Sequence, residues 1–239
     1  MSNSSGFFST VQSFYLAFFG RPADPSGLRY WSEQLATVGG DLAGVIHAFS
    51  SSDEAATRFG GDTPEMRIAH IYQRLFNRSP EPEGLAYWTG VLQQGQMSMA
   101  GVAIAILQGA QGADADLVRV REQVVSEFTA QVEASGSAYA GNAASDAAGL
   151  LVRAVTAGTS QQDITSLVQA TAALTDIATN NPAVLDALAG GGSLQALLDT
   201  TRGNADPATL VQVLSELAQS AAGDPAAPGE RCGGLRPRG

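Results

Sequence analysis

The segment from Phe18 to Trp31, Phe-Phe-Gly-Arg-Pro-Ala-Asp-Pro-Ser-Gly-Leu-Arg-Tyr-Trp, returns 57 residues later as Leu-Phe-Asn-Arg-Ser-Pro-Glu-Pro-Glu-Gly-Leu-Ala-Tyr-Trp over 75–88. The register holds beyond this core: Tyr15 pairs with Tyr72, Leu35 with Leu92, Gly44 with Gly101, and Val45 with Val102. A sequence that repeats at a fixed period is built from repeated structural units, each needing the same fastenings. Arg21/Arg78, Pro25/Pro82, Gly27/Gly84 and Trp31/Trp88 are therefore paired positions of one module used twice.

Helical periodicity runs through the module. Phe14 and Phe18 share one apolar stripe, and Leu28, Trp31 and Leu35 share a second, with a break over Gly20–Asp24. Asp24-Pro25 reads as an N-cap followed by proline at the first helical position, where its missing N–H costs nothing. Glu81-Pro82 repeats the proline behind a poorer cap. A third helix over 41–50 carries Leu42, Val45, Ile46 and Phe49 on one face. Gly44 and Gly101 lie in the third helices at a cost of about 1 kcal/mol each against alanine. Close approach of another helix is the expected reason. Trp31 and Trp88 are expected to fill the core, and Gly27 and Gly84 to leave room for a neighbour.

All nine phenylalanines and both tryptophans fall at or before Phe128, and Tyr139 is the single aromatic beyond it. This shift, close to the small-residue run over 134–138, divides the chain into a tandem-repeat part (1–128), an Ala/Leu-rich helical part (129–222) and a tail (223–239) expected to be disordered. In the second part Ser160 heads an apolar stripe of Ile164, Leu167, Val168, Leu174 and Ile177. Asn181-Pro182, Ser193 and Asp206-Pro207 mark further helix starts. No alternating run bounded by hairpin turns occurs. The expectation is an all-α chain without a sheet, tandem helical modules followed by a second small bundle.

Chemistry is harder to find. The net charge is −10 and every basic residue is arginine, which argues against a phosphate backbone as partner. No apolar stretch is long enough to span a membrane, and the opening residues make a poor signal peptide. Cys232 is alone, so neither a disulfide within the chain nor a thiolate metal site is expected. His47 and His70 lack partners at metal-ligand spacing. No nucleophile elbow, phosphate loop or dinucleotide fingerprint occurs, so no enzyme is expected. Calcium has no motif here; a loop site from Asp24, Asp53 and Glu54 is the one arrangement that would supply oxygen ligands.

The paired arginines carry two readings. Each can fork onto an acid, as Arg21 onto Asp53 or Glu54, tying its loop to a helix end. Alternatively Arg21 and Arg78, with Tyr30 and Tyr87 on the accessible side of their helices, form a hydrogen-bonding and ring-stacking surface for a ligand.

The string Tyr15-x-x-Phe18-Phe19-Gly20-Arg21-Pro22-x-Asp24-Pro25-x-Gly27-Leu28-x-Tyr30-Trp31, closed by Ser52-Asp53-Glu54, resembles the DUF4214 family over about residues 10–120. Ala55 stands where the closing signature has an aromatic, and the second copy has Gly109-Ala110-Gln111 in place of Ser-x-Glu. The resemblance implies a setting in bacterial surface-layer proteins and secreted calcium-repeat proteins exported without a cleaved signal. It further implies attachment to cell-surface polysaccharide of the lipopolysaccharide O-chain class. A helical protein–protein scaffold, using an apolar face of Leu210, Leu214 and Leu217, is the rival expectation. An extracellular or cell-surface location accompanies the first reading, while a cytoplasmic one stays open under the second.

Overall fold

The computed structural model describes residues 4–180, and every regular element in them is helical. After a 3-10 turn at Ser4–Phe7, α1 (Phe8–Phe14) runs on as one π-helical turn, Tyr15–Phe19. Then come α2 (Pro25–Thr37), α3 (Leu42–Ser50) and α4 (Asp53–Phe59), which complete the first module. The second module repeats the order as α5 (Pro64–Phe76), α6 (Pro82–Gln93), α7 (Met99–Gln108) and the start of α8 (Ala113–Ser135). Finally α9 (Gly141–Ala154) and α10 (Gln161–Asn180) pack on the far half of α8. The expected starts at Asn181, Ser193 and Asp206, the Leu210–Leu217 face and the tail lie outside the described residues.

Local chemistry sets the helix limits. The Asp24 carboxylate accepts from the Gly27 N–H (2.7 Å) and caps α2, with Pro25 next to it. Asp41, Ser52, Thr63 and Ser98 cap α3, α4, α5 and α7 in the same manner. The first helix of each module ends on a left-handed residue, Gly20 (φ +67°) and Asn77 (φ +56°), which are paired positions. Gly20 has a tertiary reason as well. A Cβ there would meet the aliphatic stem of Arg74 at 2.6 Å.

Phe49 is the hub of the first module. Its ring lies 5.0 Å from Tyr15, 4.8 Å from Phe19 and 5.4 Å from Trp31, in tilted and edge-on geometries that favour aromatic pairs. One core cluster joins both modules, and Val118 and Val125 of α8 belong to it. Val124, Phe128 and Val132 of α8 face a second cluster built from α9 and α10. Residue 128, where the aromatic composition changes, thus lies inside an unbroken helix. The change of core chemistry falls between two faces of α8, because a helix with two apolar faces serves two cores at once.

A buried polar bridge holds the first module's loop in place. Gln12 donates to Thr129 (2.8 Å), Thr129 donates to the Ala23 carbonyl (2.6 Å), and the Ala23 N–H returns to Gln12 (3.1 Å). Nearby Arg121 is fully buried and donates to the Arg74 carbonyl and to Asn77 (2.8 Å). A cation suits this place, since those acceptors lie at the C-terminal end of α5. Burial, with Arg153 nearby, lowers the Arg121 pKa to about 9.

Two expectations need correction. Gly44 and Gly101 do not mark close helix packing. Both sit in the first turn of their helices; a Cβ on Gly44 would meet nothing within 4 Å, and one on Gly101 only Ser98 and Met97 of its own cap region. Trp31 and Trp88 are half-buried and lie along the core cluster rather than within it. One edge of Trp31 packs on Phe49 while its other side carries Tyr30.

Candidate functional site

The paired loops place two arginines in nearly the same setting. Arg21 Nε and Nη2 fork onto both Glu54 oxygens (2.8 and 2.5 Å), and Nη1 donates to the Pro22 carbonyl (2.8 Å). Its guanidinium lies over the Tyr15 and Phe19 rings at 4.7 and 5.5 Å. Arg78 Nη2 donates to Asp114 (2.6 Å), and Nη1 donates to Glu81 (2.7 Å) and the Ser79 carbonyl (3.2 Å). Its guanidinium lies over Tyr72 and Phe76 at 5.3 and 5.4 Å. Ring for ring and carbonyl for carbonyl, the contacts repeat at the sequence period.

The acids differ. The position paired with Glu54 is Gln111, and Asp114 takes over three residues further on. Both acids are the second residue of a helix, α4 and α8, where the helix dipole favours a carboxylate. Sequence reading found Glu54 and missed Asp114; the clue was Asp114 opening a long helix shortly after the lost Ser-x-Glu.

Surroundings then separate the two arginines. Tyr139, from the turn between α8 and α9, accepts from Arg21 Nη1 (3.0 Å) and donates to the Pro22 carbonyl (2.8 Å). With the second bundle packed there, only 5% of the Arg21 side chain is exposed, whereas the Arg78 side chain keeps 37%. Arg21 therefore acts as a fastener between modules and bundle, and its burial under the second bundle, rather than the number of its hydrogen bonds, sets it apart from Arg78 as a ligand contact. Tyr139 was visible in the sequence as the lone late aromatic, but its contact was not.

Titration behaviour agrees with a fastening role. Burial opposes the Arg21 charge, but Tyr139 and the Glu54 fork outweigh it and hold the pKa above the ordinary arginine value. Burial pushes the Tyr139 hydroxyl up to about 12, and burial followed by the Asp24 charge raises Tyr15. The bonds to Asp114 and Glu81 raise Arg78, and Glu81 is held below its usual range by its own backbone N–H and by Arg78. At neutral pH these arginines are charged and these tyrosines neutral.

Asp24, Asp53 and Glu54 do not form a cation cage. Asp24 caps α2 and Glu54 is taken up by Arg21. Among the described residues no group of three His, Cys, Asp or Glu side chains is placed to hold a metal ion. His47 and His70 are both exposed on separate helices, and His70 faces Asp62 (3.4 Å). Among the described residues no helix is long and apolar enough to cross a membrane.

Tyr30 and Tyr87 are left as the outward aromatic pair. They are 54% and 63% exposed, and each stands edge-on to its neighbouring tryptophan with ring centres 5.0 and 4.8 Å apart.

Residues 8–59 and 46–113 each match Domain of unknown function (DUF4214). A DUF4214-family region thus covers both modules. No curated protein and no solved structure matches the chain.

Proposed function

We propose that the two DUF4214 modules form a non-catalytic attachment unit for cell-surface polysaccharide, working outside the cell or within a surface layer. The observation that carries this reading is the doubled Tyr-Trp edge. Two exposed tyrosines, fixed by half-buried tryptophans, stand at the same position of consecutive modules. Rings held in place this way offer flat apolar faces at little entropic cost on binding. A polymer of sugars presents such faces repeatedly, and two sites on one chain raise the effective concentration of each for the other.

Other features support the reading. The perturbed arginine and tyrosine groups around the paired loops rest in fixed protonation states, unlike a general acid or base poised near neutrality. The acidic, lysine-free composition fits a neutral glycan better than an anionic one. The extracellular setting is the part of the proposal that rests on the family resemblance alone.

The test is binding of the purified chain to an array of bacterial lipopolysaccharide O-chains and capsular polysaccharides, with and without calcium. Some polysaccharide should be retained, and Tyr30→Ala with Tyr87→Ala should weaken it about tenfold or more, or about 1.4 kcal/mol. Retention by neither condition, or retention untouched by the double substitution, would sink the proposal.

A further inference from the structure

Phe49 and Ile106 are paired positions with different consequences. In the first module the Phe49 ring occupies the space between Tyr15, Phe19 and Trp31. In the second module the counterparts Tyr72, Phe76 and Trp88 enclose the smaller Ile106, and a cleft of about 240 Å³ remains among them. The lining loses bulk at two further positions, where Gly109 and Ala110 stand in place of Ser52 and Asp53. Arg78, Gln111 and Asp114 complete the lining. The repeat thus supplies its own control: one module is filled by its own side chain, and the other is open at the same place.

We propose that this cleft is a subsite for a single neutral sugar ring, a reading that rests on the polysaccharide proposal and places one of its contacts. Trp88, half-buried at the cleft, is the aromatic wall that suits the C–H face of a pyranose, since the Arg78 guanidinium already covers Tyr72 and Phe76. The lining holds both donors and acceptors, as sugar hydroxyls require, with guanidinium N–H groups on Arg78, carboxylate oxygens on Asp114 and an amide on Gln111. Arg78 is bound to both Asp114 and Glu81, so the cleft offers no net positive charge to an anionic sugar. Size sets the limit to one ring, because the cleft is smaller than the roughly 300–1,000 Å³ that hold larger ligands. The same Arg78 network fixes the polar groups before any ligand arrives, which lowers the entropic cost of binding.

The experiment uses the whole chain, labelled with ¹⁵N, whose two tryptophans give two indole N–H signals. Methyl glycosides of neutral hexoses and 6-deoxyhexoses are titrated singly. At least one should move the Trp88 signal saturably while the Trp31 signal stays in place, and methyl glucuronide should bind more weakly. Ile106→Phe, which copies Phe49, should abolish the shift, whereas Ile106→Val should keep it. Asp114→Asn, which keeps the cleft's shape, should weaken binding about tenfold and decides the matter if Ile106→Phe does not fold. No response at Trp88, or a response unchanged by Ile106→Phe or Asp114→Asn, overturns the assignment. Polysaccharide bound equally by wild type and a folded Ile106→Phe protein sinks the cleft while leaving the Tyr30/Tyr87 proposal standing. Methyl glycoside binding at Trp88 without any polysaccharide retention does the reverse.

Discussion

Glu54 and Asp114 occupy the same place in their modules although the repeat does not align them: each is the second residue of the closing helix, and each receives the loop arginine. The second copy lost its aligned acid at Gln111 and recovered the fork three residues, almost one helical turn, later. What the module preserves is a carboxylate at a helix start, within reach of a loop guanidinium. The two forks differ in burial, and that difference governs what their removal does.

Glu54→Gln leaves the buried Arg21 charge with a carbonyl, a hydroxyl and only the more distant Asp24 carboxylate at 3.9 Å, and should cost about 3 kcal/mol of stability. Asp114→Asn leaves Arg78, already 37% exposed, with water and Glu81 as partners and should cost under about 1 kcal/mol. Urea unfolding of the two variants checks this, and equal losses would contradict the burial argument.

Gly27 and Gly84 are paired helix residues with unequal room. A Cβ on Gly27 would overlap the Tyr15 hydroxyl, at the end of a buried ring that cannot swing away; one on Gly84 would meet the Tyr72 hydroxyl at 3.4 Å, an ordinary contact. Gly27→Ala should therefore destabilise by about 1–3 kcal/mol, and adding Tyr15→Phe should restore part of the loss. Gly84→Ala should be neutral or stabilising by up to about 1 kcal/mol, the helix preference of alanine over glycine. A double-mutant cycle in thermal unfolding reads the coupling.

Phe49 fills the first module as Ile106 does not fill the second. Phe49→Ala should cost about 3–5 kcal/mol, since five neighbouring aromatic rings lose their hub. Ile106→Val, at the edge of an existing cleft, should cost about 1 kcal/mol or less. Denaturant midpoints separate the two.

Alkaline pH should act through Tyr139. Its folded pKa of about 12 lies above the unfolded value near 10, so its contribution is whole below pH 10 and is lost as pH rises through 12. The full loss is about 2–3 kcal/mol. Tyr15, also raised by burial, carries the same sign and Arg121, with a lowered pKa, the opposite one, and comparison with a Tyr139 variant cancels both. Tyr139→Phe should be less stable than wild type at pH 7 and should lose less stability between pH 10 and 12. Parallel stability curves for the two proteins would refute the assignment.

Much of the fold was legible because it depends on short-range chemistry. Asp24-Pro25 starts a helix wherever it stands, Gly20 ends one, and apolar residues at helical spacing require a helix with something to pack on. A 57-residue period then requires the same unit twice. The arginine fork to Glu54 was legible for the same reason, as a donor with few acids to choose from. What tertiary structure alone decided is which loop arginine is covered. Arg21 and Arg78 stand in equivalent loops, yet Tyr139, from more than a hundred residues away, lands on Arg21. A half-buried Trp31 and an uncrowded Gly44 were equally beyond local reading. Such outcomes depend on which distant surface covers a group, and coverage is settled only when the whole chain packs: the second bundle covers one arginine and leaves the other exposed to solvent.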